Sequence, residues 1–117
     1  MIWLTTNLKF QINLNKKKKI FIAGHEGMVG SSVMRLFKQK KNYKLIFIEK
    51  KKLNLLDQKK VFNFLTKYKP DSTIIAAAKV GGIYANSKNK VNFLYDNLQI
   101  QNNLIYGSFL AGVKNLI

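Results

Sequence analysis

Ile20-Phe21-Ile22-Ala23-Gly24-His25-Glu26-Gly27-Met28-Val29-Gly30 decides how this 117-residue chain is read. Four consecutive apolar residues ended at once by glycine have the pattern of a strand buried on both faces of a parallel sheet. Three glycines in a G-x-x-G-x-x-G spacing follow, and Val29, Val33, Leu36 and Phe37 then recur at helical intervals to about Gln39. A strand that turns through glycines into a helix is the setting of a phosphate loop. In that setting Gly24 permits the tight turn, Gly27 lets a pyrophosphate approach the backbone, and Gly30 allows the helix to pack closely on the strand. The helix N-terminus adds amide donors and a partial positive charge. The plainer reading gives the same glycines turn and packing roles alone.

Outward from the turn, strand and helix signals alternate. Tyr43 to Ile48 reads as a second strand, and Asp57 caps a helix carrying Val61, Leu65 and Tyr68 that Pro70 stops. Thr73 to Ala78 is a third strand, Gly81-Gly82 opens a loop, and a long helix from about Lys90 carries Leu94, Leu98, Ile105 and Phe109 to Gly112. Asn115-Leu116-Ile117 begins a fourth strand. The expected class is α/β, a Rossmann-like doubly wound parallel sheet of which this chain holds the N-terminal half. The standard strand order puts the third strand beyond the second and the second beside the first. Ile20 to Ala23 would then be flanked on its other side by the strand starting at Asn115, a flank left poorly covered. Ahead of the domain, Leu8 to Leu14 alternates apolar and polar residues like a half-buried strand. Residues 1–17 are read as a frayed or edge-strand extension and 18–117 as one partial nucleotide-binding domain.

The formal charge is +16, yet Arg35 is the single arginine among 21 lysines and arginines. Nucleic-acid readers favour the bidentate arginine fork, so a lysine excess inflated together with asparagine and isoleucine reads as codon bias on a solvated surface. Nucleic acid is therefore not the expected partner, and the run Lys16 to Lys19 reads as a solvated strand flank. The absence of cysteine removes disulfides, thiolate metal sites and a cysteine nucleophile from this chain. No metal site is expected. No run approaches the ~18–20 apolar residues of a membrane span, and the start lacks a basic signal-peptide region, so the expected compartment is the cytoplasm. His25, the only histidine, lies inside the glycine loop and is read as a shape residue rather than an acid or base.

Three longer strings carry a resemblance. Ile20 to Ser31, Leu53-Asn54-Leu55-Leu56-Asp57 and Ala76-Ala77-Ala78-Lys79-Val80-Gly81-Gly82-Ile83 resemble, in order and spacing, the GDP-L-fucose synthase family. These are extended short-chain dehydrogenases/reductases that epimerise and reduce GDP-4-keto-6-deoxymannose with NADP. Phe93 to Asn103 is similar to the family's following helix, and residues 1–15 lie outside the match. The resemblance implies that Gly24, Gly27, Met28 and Val29 line the pyrophosphate, that Gly30 and Lys50 belong to the same cofactor-binding set, and that Asn54 and Leu55 edge the adenine pocket. It places Ala76, Ala77 and Ala78 beside the dinucleotide, Lys79, Val80, Gly81 and Gly82 on the nicotinamide and sugar side, and Asn97 among residues lining the site. Glu26 stands where the family often carries an arginine for the 2′-phosphate, and a carboxylate there opposes NADP. Glu49 followed by Lys50, Lys51 and Lys52 sits where the ribose 2′ position is read, and the lysines favour NADP, with NAD the alternative.

The family's catalytic set comprises a serine or threonine, a Tyr-x-x-x-Lys pair and the cysteine and histidine of epimerisation. It follows the strand that begins here at Asn115, so no catalytic residue is expected in this chain. Tyr84 and Lys88 share the tyrosine-lysine spacing but lie in the loop after the third strand. The expectation is the NADP-binding N-terminal part of such an enzyme, inactive by itself. The whole enzyme would take a nucleotide sugar and form a homodimer through a helical bundle. The rival readings are a non-catalytic dinucleotide-binding module of another NAD-dependent epimerase/dehydratase relative, or a basic nucleic-acid-binding protein.

Overall fold

The computed structural model describes residues 16–117, apart from the side chain of Asn86; the alternating stretch Leu8 to Leu14 lies outside the described residues. Strands β1 (Lys18–Ala23), β2 (Tyr43–Ile46), β3 (Ser72–Ile75) and β4 (Asn115–Leu116) alternate with helices α1 (Met28–Lys38), α2 (Gln58–Tyr68), α3 (Ile83–Lys88) and α4 (Lys90–Leu110). The strands form one parallel sheet in the order β2-β1-β3-β4.

That order corrects the expected one. β3 pairs directly with β1, Ile20 opposite Ser72 and Ala23 opposite Ile75, so β1 has a partner on each edge and no open flank. The reason lies in α2. Its Phe64 packs against Phe21 of β1, ring centroids 5.0 Å apart, so the helix lies over β1 and delivers the chain to the far side of that strand. The segment between β2 and α2 turns at Glu49 and again at Asn54 instead of adding a strand beside β2. Among the described residues the outer edges thus belong to β2 and β4.

β1 also begins earlier than its apolar run. Lys18 and Lys19 pair with Tyr43 and Lys44, because the ladder uses backbone while the lysine stems reach outward. Lys19 is more than a solvated flank: its Nζ donates to the Tyr68 carbonyl at 2.7 Å and so caps the C-terminal end of α2. A second correction concerns Gly81-Gly82, where Gly82 acts as the N-cap of the short helix α3 rather than as part of an open loop.

The core is a layer between one sheet face and two helices. Phe21, Ala23 and Ile46 of the sheet meet Val61 and Leu65 of α2 and Ile100 and Leu104 of α4, with Leu53 dropped in from the segment after β2. Burying each large side chain contributes about 1.5–3 kcal/mol. Thr73 belongs to the same face, fully buried, and its hydroxyl accepts from Ser108 of α4 at 3.2 Å. By the alternation of a strand, Ile20 and Ile22 face the opposite way, where α1 packs on β1 and β2. No helix among the described residues is long and apolar enough to cross a membrane.

A candidate dinucleotide site

The segments that leave β1, β2 and β3 converge on one cleft at the carboxyl end of the sheet. The first wall is the turn from Gly24 to Gly27. Gly24 has φ +84, and a Cβ on it would sit 2.6 Å from the Ala77 backbone, so only glycine fits both the turn and the approach of the chain after β3. Gly30 is equally constrained, since a Cβ there would lie 2.0 Å from the Gly24 carbonyl oxygen. Gly27 is different. Its φ is −74, and a Cβ would meet nothing nearer than 3.4 Å, so the fold itself does not require glycine at that position.

Gly27 is also the N-cap of α1, without a side-chain acceptor, and no acidic residue stands in that helix's first turn. The amides and positive end of α1 are thus left to an external anion. The second wall follows β2: Ile48, Lys50 and the turn Leu53 to Leu56. The third follows β3, where Ala76, Ala77 and Ala78 present small side chains to the space, with Lys79 after them; Ile100 of α4 closes the floor.

Charge is sorted within this arrangement. Lys50 lines the cleft, whereas Glu49 pairs with Lys52 at 3.8 Å and is not part of the lining. Glu26 lines the cleft as well, with its carboxylate 4.0 Å from His25 Nε2. The His25 ring packs on Phe47 with centroids 5.0 Å apart. Among the described residues no cluster of His, Cys, Asp and Glu is arranged to hold a metal ion.

Of the residues singled out in the sequence, Gly24, Gly27, Lys50, Asn54, Leu55, Ala76, Ala77, Ala78 and Lys79 meet at the cleft. Met28 and Val29 do not line it; their side chains are exposed and only their backbone belongs to the start of α1. Gly30 is buried behind the turn, and Val80, Gly81 and Gly82 lie exposed beyond the third wall. Asn97 does not line the cleft either. Its carboxamide accepts from the Lys79 N–H at 2.6 Å and donates to the Lys79 carbonyl at 3.1 Å, while Asp96 pairs with Lys79 Nζ at 2.6 Å. Tyr84 is outside the lining, and Lys88 Nζ sits over its ring at 4.7 Å, a cation–π contact on the face of the ring. Sequence reasoning passed over Ile100 and Asn103. Ile100 sits at ordinary core spacing, but a polar Asn103 within the buried stripe Ile100, Leu104, Gly107 was a legible signal.

The model of the NAD dependent epimerase/dehydratase family matches residues 20–117. The chain belongs to that family. It is 45% identical over 100 residues to a GDP-L-fucose synthase of Sinorhizobium fredii, covering 86% of this chain and 32% of that protein. Among solved structures, a GDP-mannoheptose C4 reductase of Campylobacter jejuni with NADP bound superposes with a TM-score of 0.80 at 35% identity. That match covers 86% of this chain and 32% of the reductase. A GDP-L-fucose synthetase of Naegleria fowleri bound to NADP gives a TM-score of 0.73 at 30% identity, covering 89% of this chain and 31% of that protein. This member of the family therefore spans about a third of the length of the curated relatives it matches.

Proposed function

We propose that residues 18–117 form the NADP-binding domain of an epimerase/reductase acting on a GDP-linked 4-keto-6-deoxy sugar, as GDP-L-fucose synthases do. The observation that carries the reading is Gly27: the fold tolerates a side chain there, yet the position is glycine, facing the cleft at the uncapped end of α1. A dinucleotide pyrophosphate laid on that helix end fits both facts. Lys50 in the second wall, with Glu49 turned to Lys52, supports a 2′-phosphate and hence NADP over NAD. When bound, the nicotinamide supplies hydride chemistry. The chain's own part is to cradle phosphate at Gly24 and Gly27, to hold the adenosine between Lys50 and Leu55, and to leave room beside Ala76 to Ala78.

The 117-residue chain by itself binds cofactor without turning over substrate, since it has no cysteine and its one histidine is packed against Phe47. The cysteine-free composition fits a cytoplasmic protein. Two copies are proposed to meet along α4, whose Val91, Leu94, Leu98, Ile105 and Phe109 form an exposed apolar stripe at helical spacing. The test is titration of the chain with NADPH beside its Gly27→Val variant. Binding by the parent and at least about tenfold weaker binding by a normally folded variant is expected. Superimposable titrations would remove the site, and NADPH oxidation by the chain with the keto sugar would overturn its lack of turnover.

A further inference from the structure

We propose that Asn103, which lies outside the cleft, is a positioning residue for the adenosine half of the cofactor; this rests on the dinucleotide reading above. Asn103 is fully buried on α4. Its Nδ2 donates to the Leu55 carbonyl at 2.8 Å, and its Oδ1 accepts from Gln99 Nε2 at 2.8 Å. Both ends of the carboxamide are engaged, so its orientation is fixed.

Leu55 sits in the turn that forms the second wall, where Asn54 Oδ1 accepts from the Leu56 N–H at 3.1 Å and the Asn54 carbonyl from the Asp57 N–H at 3.0 Å. These bonds shape the turn internally. The bond from Asn103 ties it to the other side of the core, 48 residues along the chain. A part-buried hydrogen bond of this kind holds the wall in place, because losing it leaves the half-buried Leu55 carbonyl without that donor. In a βαβ dinucleotide site the adenosine lies against the end of the second strand and the segment leaving it. The wall fixed by Asn103 is that one.

The same helix grips the opposite wall through Asn97, which holds the backbone of Lys79, and Ile100 lies between them on the floor. From Asn97 to Asn103 is about 9 Å of helix axis. α4 is therefore a strut with one buried or half-buried carboxamide for each wall. The two amides divide the cofactor between them: Asn103 serves the adenosine half and Asn97 the nicotinamide half.

The experiment titrates the 117-residue chain with NADPH and with adenosine 2′,5′-bisphosphate, which carries the adenosine half alone. Asn103→Leu conserves volume and removes the donor; it is expected to weaken both ligands by about tenfold, whereas Asn97→Leu weakens NADPH and leaves the bisphosphate unchanged. Should Asn103→Leu lose its cooperative melt, Gln99→Leu at a half-exposed position decides instead, by freeing the Asn103 amide to rotate. It is then expected to weaken both ligands about threefold. A lowered melting temperature with unchanged affinities would show a merely structural role and overturn the proposal. A parent chain that binds neither ligand would overturn the dinucleotide reading itself, a result distinct from the first.

Discussion

At the residue scale the cleft separates positions that the fold needs from positions where the fold makes no such demand. Gly24 and Gly30 are fixed by backbone contacts that a Cβ would violate. Gly27 and Lys50 answer to no such demand, and they are the informative substitutions. Lys50 is exposed at the rim, so the phosphate contact proposed for it would be a screened, charge-assisted one. Lys50→Ala is expected to weaken NADPH about tenfold and NADH less than about twofold, measured by titration of both. Equal losses for the two cofactors would remove Lys50 from 2′-phosphate recognition. Glu26 lines the same cleft, and its carboxylate would oppose a 2′-phosphate that the lysines after β2 favour.

At the scale of elements, α2 shows how local chemistry sets a boundary. Asp57 Oδ1 accepts from the Lys60 N–H at 3.1 Å, and that backbone bond, against a smaller effect of burial, lowers the carboxyl pKa below its usual 3.8. A carboxyl whose pKa is lower folded than unfolded adds stability above the unfolded value and loses it as pH falls through the folded one. Asp57→Ala is accordingly expected to melt at a lower temperature than the parent at pH 7, with the gap closing as pH falls below 3.8. Thermal melts at the two ends of that window check it, and a gap independent of pH would mean the cap works without its charge. α4 was legible over its whole length from apolar spacing and Gly112, but the residues that carried the spacing, Leu94, Leu98, Ile105 and Phe109, lie on its exposed face. Asn97 was singled out in the sequence and Asn103 was not, and only packing separates Asn103 from an exposed neighbour such as Asn102.

At the scale of the molecule, the order β2-β1-β3-β4 puts the apolar strand in the centre and leaves shorter strands at the rims. β2 bears Tyr43 and Lys44 at its edge, and a lysine on an edge strand discourages pairing with other chains. The larger exposed apolar surface is the outer stripe of α4, where Leu94 is 61% and Leu98 50% exposed. On the proposed contact along α4, the parent chain is expected to self-associate and the variant with both replaced by glutamate to sediment as a monomer in analytical ultracentrifugation, with NADPH affinity kept within about twofold. A parent chain that sediments as a monomer at every concentration would count against the stripe as a contact between copies.

The alternation of strands and helices, the glycine turn and the family were all legible in the sequence, because each rests on a short-range rule: glycines where backbone must turn, apolar periods of 2 and 3.6, an aspartate and a proline bounding α2. The neighbour of β1 was not legible. Whether the third strand lands beside β2 or beyond β1 depends on where α2 lies over the sheet, a matter of how Phe64 and Leu65 pack against Phe21 and α4 rather than of any local pattern. For the same reason Asn97 passed from lining residue to loop anchor and Asn103 emerged at all: a hydrogen bond across 48 residues exists only once the sheet and helices have closed on each other.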